Sequence, residues 1–116
     1  MLPPQAGFIL HSKPYRETSL LVELFCQQEG KISCVLKGAR GKKAKAKVQA
    51  FSEYWLNLSG HSELKSLLKV ESLSAPVMLS GQFLYSGIYI NELLQRLLPK
   101  NIAHFDLYQD YKSTLS

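Results

Sequence analysis

The chain contains only two cysteines, Cys26 and Cys34. Their spacing is neither CxxC nor a Cys/His pattern, which excludes the common zinc arrangements, and one pair is too few for a disulfide framework. A reducing interior is the natural setting. Met1-Leu2-Pro3-Pro4-Gln5 offers no positive stretch followed by an apolar one, so it does not read as an export signal. The longest uncharged run, Ser72 to Asn91, spans 20 residues, but Ser72, Ser74, Pro76, Ser80, Gly81, Gln82, Ser86 and Gly87 interrupt it. Lipid demands a more continuous apolar surface, so no membrane span is expected. Asn57-Leu58-Ser59 matches a glycosylation acceptor but falls inside an expected strand of a protein expected to stay in the cytoplasm, and is read as chance.

Catalytic constellations are equally scarce. His11, His61 and His104 fall on an expected strand, turn and helix start, too far apart in sequence to suggest one metal site. Gly38-Ala39-Arg40-Gly41-Lys42-Lys43 has the wrong glycine spacing for a phosphate loop and no Ser or Thr after the lysine to reach Mg²⁺. Ser62-Glu63-Leu64-Lys65 fits Ser-x-x-Lys, a short pattern frequent by chance. The expectation is a protein that is not an enzyme and uses no cofactor.

What is present in excess is positive charge, in one place. Between Lys37 and Lys47 stand six cations, Lys37, Arg40, Lys42, Lys43, Lys45 and Lys47, with no anion among them. Removing those six from the fourteen in the chain leaves eight cations against nine anions, so the net charge of +5 belongs to this segment. Gly38, Ala39, Gly41, Ala44 and Ala46 separate the cations, a composition able to follow a sugar-phosphate backbone. Such contacts bring affinity without sequence preference. A charge run is more commonly a solvated loop, but this one falls between two expected strands, where barrel loops flank a nucleic-acid face.

Hydrophobic periodicity divides the chain in two. Five strands are expected from Gly7 to about Ser74: Phe8 to about Lys13, ending near Pro14; Ser19 to Cys26; Lys31 to Lys37; Ala50 to Leu58; and Glu63 to about Leu73. In the third, Ile32, Cys34 and Leu36 are expected inward and Lys31, Ser33 and Lys37 outward. In the fifth, Leu64, Leu68 and Val70 are expected to alternate with charged residues. Gln27-Gln28-Glu29-Gly30 suits a hairpin turn with Gly30 at positive φ. Of the adjacent Tyr54 and Trp55, one belongs to the core and the other to the outer surface, where it could stack on a base. Five short antiparallel strands in about 70 residues match a small Greek-key barrel of the OB type.

After Ser74-Ala75-Pro76 the period becomes helical. Leu79, Phe83, Ile90, Leu94 and Leu97, widened by Leu84, Ile88, Leu93 and Leu98, give an apolar stripe from Leu79 to Leu98, stopped by Pro99. A second helical segment from about His104 to Leu115 aligns Phe105, Leu107, Tyr108, Tyr111 and Leu115. Gly87 inside a helix costs about 1 kcal/mol against alanine, which points to a close backbone approach. The fold class is therefore mainly β with α: a five-stranded OB-type barrel over residues 1–78, then helices over residues 79–116 that clasp the barrel or begin a helical domain.

Three segments carry a family likeness: Phe8-Ile9-Leu10-His11-Ser12 with Tyr15-Arg16-Glu17-Thr18-Ser19-Leu20-Leu21, then Lys37-Gly38-Ala39-Arg40, then Leu84-Tyr85-Ser86-Gly87-Ile88-Tyr89-Ile90-Asn91-Glu92-Leu93-Leu94. In this order and spacing the sequence resembles the RecO recombination mediators of bacteria. The resemblance implies an N-terminal OB domain and the first helices of a helical domain, in a nucleoid-associated protein of DNA repair. It implies binding of single- and double-stranded DNA, annealing of complementary strands, and partnership with RecR and, in many bacteria, RecF. It also implies help to RecA in replacing single-strand binding protein. Members are considerably longer, and the part expected to hold the pocket for that protein's acidic tail is in the helical region. The DNA contacts carried over are Lys37, Arg40, Lys42, Lys43, Lys45 and Lys47, with Arg16 and Lys13 beside them. A protein-interaction scaffold and an RNA-binding OB module are the competing readings.

Overall fold

In a computed structural model the described residues are 3–37, 49–60, 64–73, 79–100 and 102–115. Valine, isoleucine, leucine and phenylalanine at alternating positions drive the first part of the chain into strands. These are β1 (Gln5–Tyr15), β2 (Ser19–Cys26), β3 (Gly30–Leu36), β4 (Glu53–Ser59) and β5 (Leu64–Ser72). They close in the order β1-β2-β3-β5-β4 and back to β1, all antiparallel except the β3–β5 pair. Closure leaves no long unpaired edge. Gly30 takes φ +73 in the β2–β3 hairpin, as expected. A Cβ there would also sit 1.9 Å from the Ile102 carbonyl oxygen, so glycine is required on two counts.

Inside the barrel, Ile9, Val22, Leu24, Cys26, Ile32, Cys34, Leu36, Tyr54, Leu56, Leu58 and Leu67 form one buried cluster. Burial pushes the Cys26 thiol well above its ordinary range and raises Cys34 to about 12, so both behave as small apolar side chains. A second cluster lies on the outer face of β1 and β2. There Ala6, Phe8, Leu10 and Phe25 meet Tyr108 and Tyr111 of helix α2 (Phe105–Leu115), with Leu94 and Leu98 at the end of helix α1 (Gly81–Leu97) packed alongside. Phe8 and Phe25 each lie 5.4 Å from the Tyr108 ring, in tilted and edge-on contact.

Buried polar groups fix the helices to this face. The Tyr108 hydroxyl donates to Glu53 at 2.5 Å, and Lys112 Nζ lies 3.1 Å from the other carboxylate oxygen. Burial, reinforced by this bond to a carboxylate, drives the Tyr108 phenol far above its usual range and keeps it neutral. The Tyr111 hydroxyl donates to Asn91 Oδ1 at 2.5 Å, while Asn91 Nδ2 donates to the Leu10 carbonyl at 3.3 Å. Leu10 is the extra residue of a β-bulge between Ile9 and His11, so its carbonyl is open to a side-chain partner. Gly87 allows α1 to close on the barrel, since a Cβ there would lie 2.8 Å from both Phe51 and Leu79.

Several expectations shift. β1 runs through Pro14 to Tyr15, because its ladder to β4 covers only Gln5 to Phe8 and the edge beside Pro14 has no donor to lose. β3 is buried along its whole length: Lys31 reaches the Gln95 carbonyl of α1 and Ser33 donates to Glu23 at 2.7 Å. In β5 a second bulge, opposite Asn57 and Leu58, turns Leu67 inward and leaves Leu68 54% exposed. On α1 only the narrow face of Leu84, Gly87, Asn91, Leu94 and Leu98 turns to the barrel, while Phe83 and Leu97 of the expected stripe are more than 70% exposed. The turn residues His61 and Ser62 lie outside the described residues.

Candidate nucleic-acid interface

The two ends of the barrel differ in what covers them. Helices α1 and α2 take the end of β2 and the start of β3, sealing Phe25 and Lys31. At the opposite end, where β1 turns into β2 and β3 ends, the described residues line a depression to which neither helix contributes. In OB barrels the face of strands two and three and the loops at this mouth contact oligonucleotides.

That strand face is not a stacking platform. Phe25 is the sole aromatic of β2 and β3 and is fully buried beneath Tyr108. Glu23 places a carboxylate on the same face, hydrogen-bonded to Ser33. Bases would find no exposed ring there and phosphates a negative charge. Of the aromatic pair on β4, Tyr54 is the core member, its hydroxyl accepting from the Gln49 amide at 2.9 Å, and Trp55 is the outer one, 39% exposed.

The mouth is basic. Lys37 is exposed directly after β3, and Lys13 is exposed on β1 opposite Leu21. Arg16 is exposed at the β1–β2 turn in the left-handed region, φ 55, with its guanidinium 5.2 Å over the Tyr15 ring. Arg40, Lys42, Lys43, Lys45 and Lys47 lie outside the described residues. The segment that carries them leaves the described structure at Lys37, at the mouth, and returns at Gln49 and Ala50, where Ala50 bridges to Ile9. Three predicted contacts, Lys13, Arg16 and Lys37, are thus brought to one end of the barrel by two parts of the chain, the β1–β2 hairpin and the end of β3.

Sequence reasoning missed Lys65. The parallel pairing of β5 on β3 sets Lys65 opposite Cys34 and Ser66 opposite Val35, bringing the start of β5 to the same mouth. Barrel closure was the available signal, because it requires β5 to meet β3. Among the described residues no group of three His, Cys, Asp or Glu side chains could hold a metal, and no helix is long and apolar enough to cross a membrane.

A closed five-stranded barrel with two helices on its flank defines an OB-fold chain. Residues 1–76 match the family model described as Recombination protein O N terminal. The chain is 46% identical over 114 residues to the DNA repair protein RecO of Pasteurella multocida, covering 97% of this chain and 48% of that one. It is 43% identical over 111 residues to the DNA repair protein RecO of Pseudoalteromonas atlantica, covering 94% and 46%. With the DNA repair protein RecO of Yersinia pestis strain Pestoides F the identity is 42% over 109 residues, 92% and 45% of the two chains. The chain belongs to the RecO family. It spans about half the length of these curated relatives.

Proposed function

We infer that this chain is the DNA-gripping front part of a DNA-repair recombination mediator. It holds single- and double-stranded DNA by the phosphate backbone and carries out no covalent chemistry. One observation carries the reading: the segment holding the whole excess of positive charge departs from the end of an OB barrel where the β1–β2 turn lies, beside Arg16 and Lys13. The covered Phe25 leaves the face of β2 and β3 without an exposed ring, which favours backbone contact at the basic mouth over base stacking on the strands. Names of the relatives support a role in DNA repair. To the whole protein this reading assigns annealing of complementary strands, assistance to RecA on DNA coated with single-strand binding protein, and contact with RecR and RecF, and membership of the RecO family supports that assignment. The setting for this work is the cytoplasm, at the nucleoid.

The test compares this chain with a variant carrying Lys42→Ala, Lys43→Ala, Lys45→Ala and Lys47→Ala. Binding of fluorescent single- and double-stranded DNA is followed across a salt series, with RNA of the same sequence alongside. Each phosphate contact contributes about 0.7–0.9 to the slope of log K against log salt, so four lost contacts flatten it by at most about 3–4. The expected loss is equal for unrelated DNA sequences. A variant that binds as tightly as the parent overturns the assignment and favours a protein partner for the segment.

A further inference from the structure

A second concentration of positive charge is built from parts of the chain far apart in sequence. The β1–β2 turn supplies Arg16, the end of β3 supplies Lys37, and the start of β5 supplies Lys65. Together with Tyr15 and the hydroxyl residues Thr18, Ser19 and Ser66 they line one cup of about 300 Å³. Glu17 belongs to the same turn but does not line the cup.

The backbone that carries the cup is set by the barrel. Stacking over Tyr15 restrains the Arg16 guanidinium, and its fixed fork of donors matches the oxygens of a phosphate. The left-handed backbone at Arg16, uncommon for a residue with a long side chain, is held by a three-residue turn between paired strands. The β3–β5 ladder fixes the backbone of Lys65, so barrel closure sets the separation of the backbone positions from which the two cations extend.

We propose that this cup seats one internal phosphodiester of bound DNA, as a site separate from the basic segment, with Arg16 and Lys65 as its contacts and Lys37 shared between the two. The proposal rests on the reading of the chain as a DNA binder. It adds a fixed point to a grip otherwise made by consecutive cations, and it orients the DNA across the barrel mouth from the β1–β2 turn toward Lys37.

The test uses Lys65→Ala and Arg16→Asn, asparagine being chosen because it tolerates the left-handed backbone. Each variant should reduce the magnitude of the salt slope by about 1, and the pair together by about 2, equally for unrelated sequences. Lys69→Ala, which removes a cation paired with Glu71, serves as the control and keeps the parental slope. Circular dichroism and thermal melts establish that each variant is folded. If the cup variants keep the parental slope while the fourfold lysine variant loses affinity, the cup is overturned and the DNA reading stands. If the cup variants lose slope while the fourfold variant binds normally, the cup stands and the segment loses its assignment. A parent chain that binds no DNA overturns both.

Discussion

Tyr108→Phe isolates one hydroxyl in the contact that fastens α2 to the barrel. Tyr108 is fully buried, and its ring contacts to Phe8 and Phe25 survive the change, so no cavity forms. What is lost is the 2.5 Å hydrogen bond to Glu53. The Glu53 side chain, 8% exposed, keeps Lys112 at 3.1 Å, but the lysine is half exposed and shared with water. A hydrogen bond to a charged group contributes about 1.5–3 kcal/mol, and the expected destabilisation is about 2 kcal/mol. At about 4 °C per kcal/mol for a domain of this size, Tm falls by about 8 °C. Denaturant unfolding, with unchanged m, measures the loss directly. Combining Tyr108→Phe with Glu53→Gln should cost less than the sum of the single changes, because both break the same interaction. A loss below about 0.5 kcal/mol, or strict additivity, would refute the idea that this bond holds the helix.

Gly30→Ala forces a Cβ against the Ile102 carbonyl oxygen and keeps a left-handed backbone, so a loss of about 2–5 kcal/mol is expected in the same unfolding assay. The bulge in β5 predicts a contrast between neighbours: Leu67→Ala costs about 2–5 kcal/mol, whereas Leu68→Ser stays within about 0.5 kcal/mol. The Cys34 thiol, raised by burial from 9.0 to about 12, ties stability to alkaline pH. Its folded pKa lies above its unfolded one, so the contribution is fully present below about pH 9 and is lost as pH rises from about 9 to 12. Cys34→Ala, though less stable at neutral pH, should lose less stability across that window.

The strand alternation of β2 was readable because one side of it faces an apolar interior and turn residues bracket it. Gly30 announced its own positive φ. The helical period after Pro76 was equally plain, and Gly87 signalled the close approach that Phe51 makes. Reading failed where a second layer changed which side of an element is buried. Lys31 and Ser33 look like solvent residues in an alternating strand, yet α1 and Glu23 supply their partners from elsewhere in the chain. Phe83 and Leu97 look like core residues, yet the helix turns Asn91 and Gly87 to the barrel. Glu53 and Asn91 are charged or polar residues whose burial depends on Tyr108 and Tyr111, 55 and 20 positions away. Bulges at Leu10 and Leu68 shift the period by one and leave no mark in composition. At the candidate interface, the cations adjacent in sequence were visible as a run, while Lys65 comes beside Lys37 only through the pairing of β5 with β3.

The central claim, a backbone grip centred on the basic segment at the barrel mouth, is tested most directly by binding of the unaltered chain to DNAs of unrelated sequence across a salt series. Affinity should be equal among the sequences, and log K should fall with log salt at a slope of about −4 to −5 from the six cations of the segment, steepened by about 2 where Arg16 and Lys65 also engage. A slope near zero, or a marked preference for one sequence at every salt concentration, would contradict it.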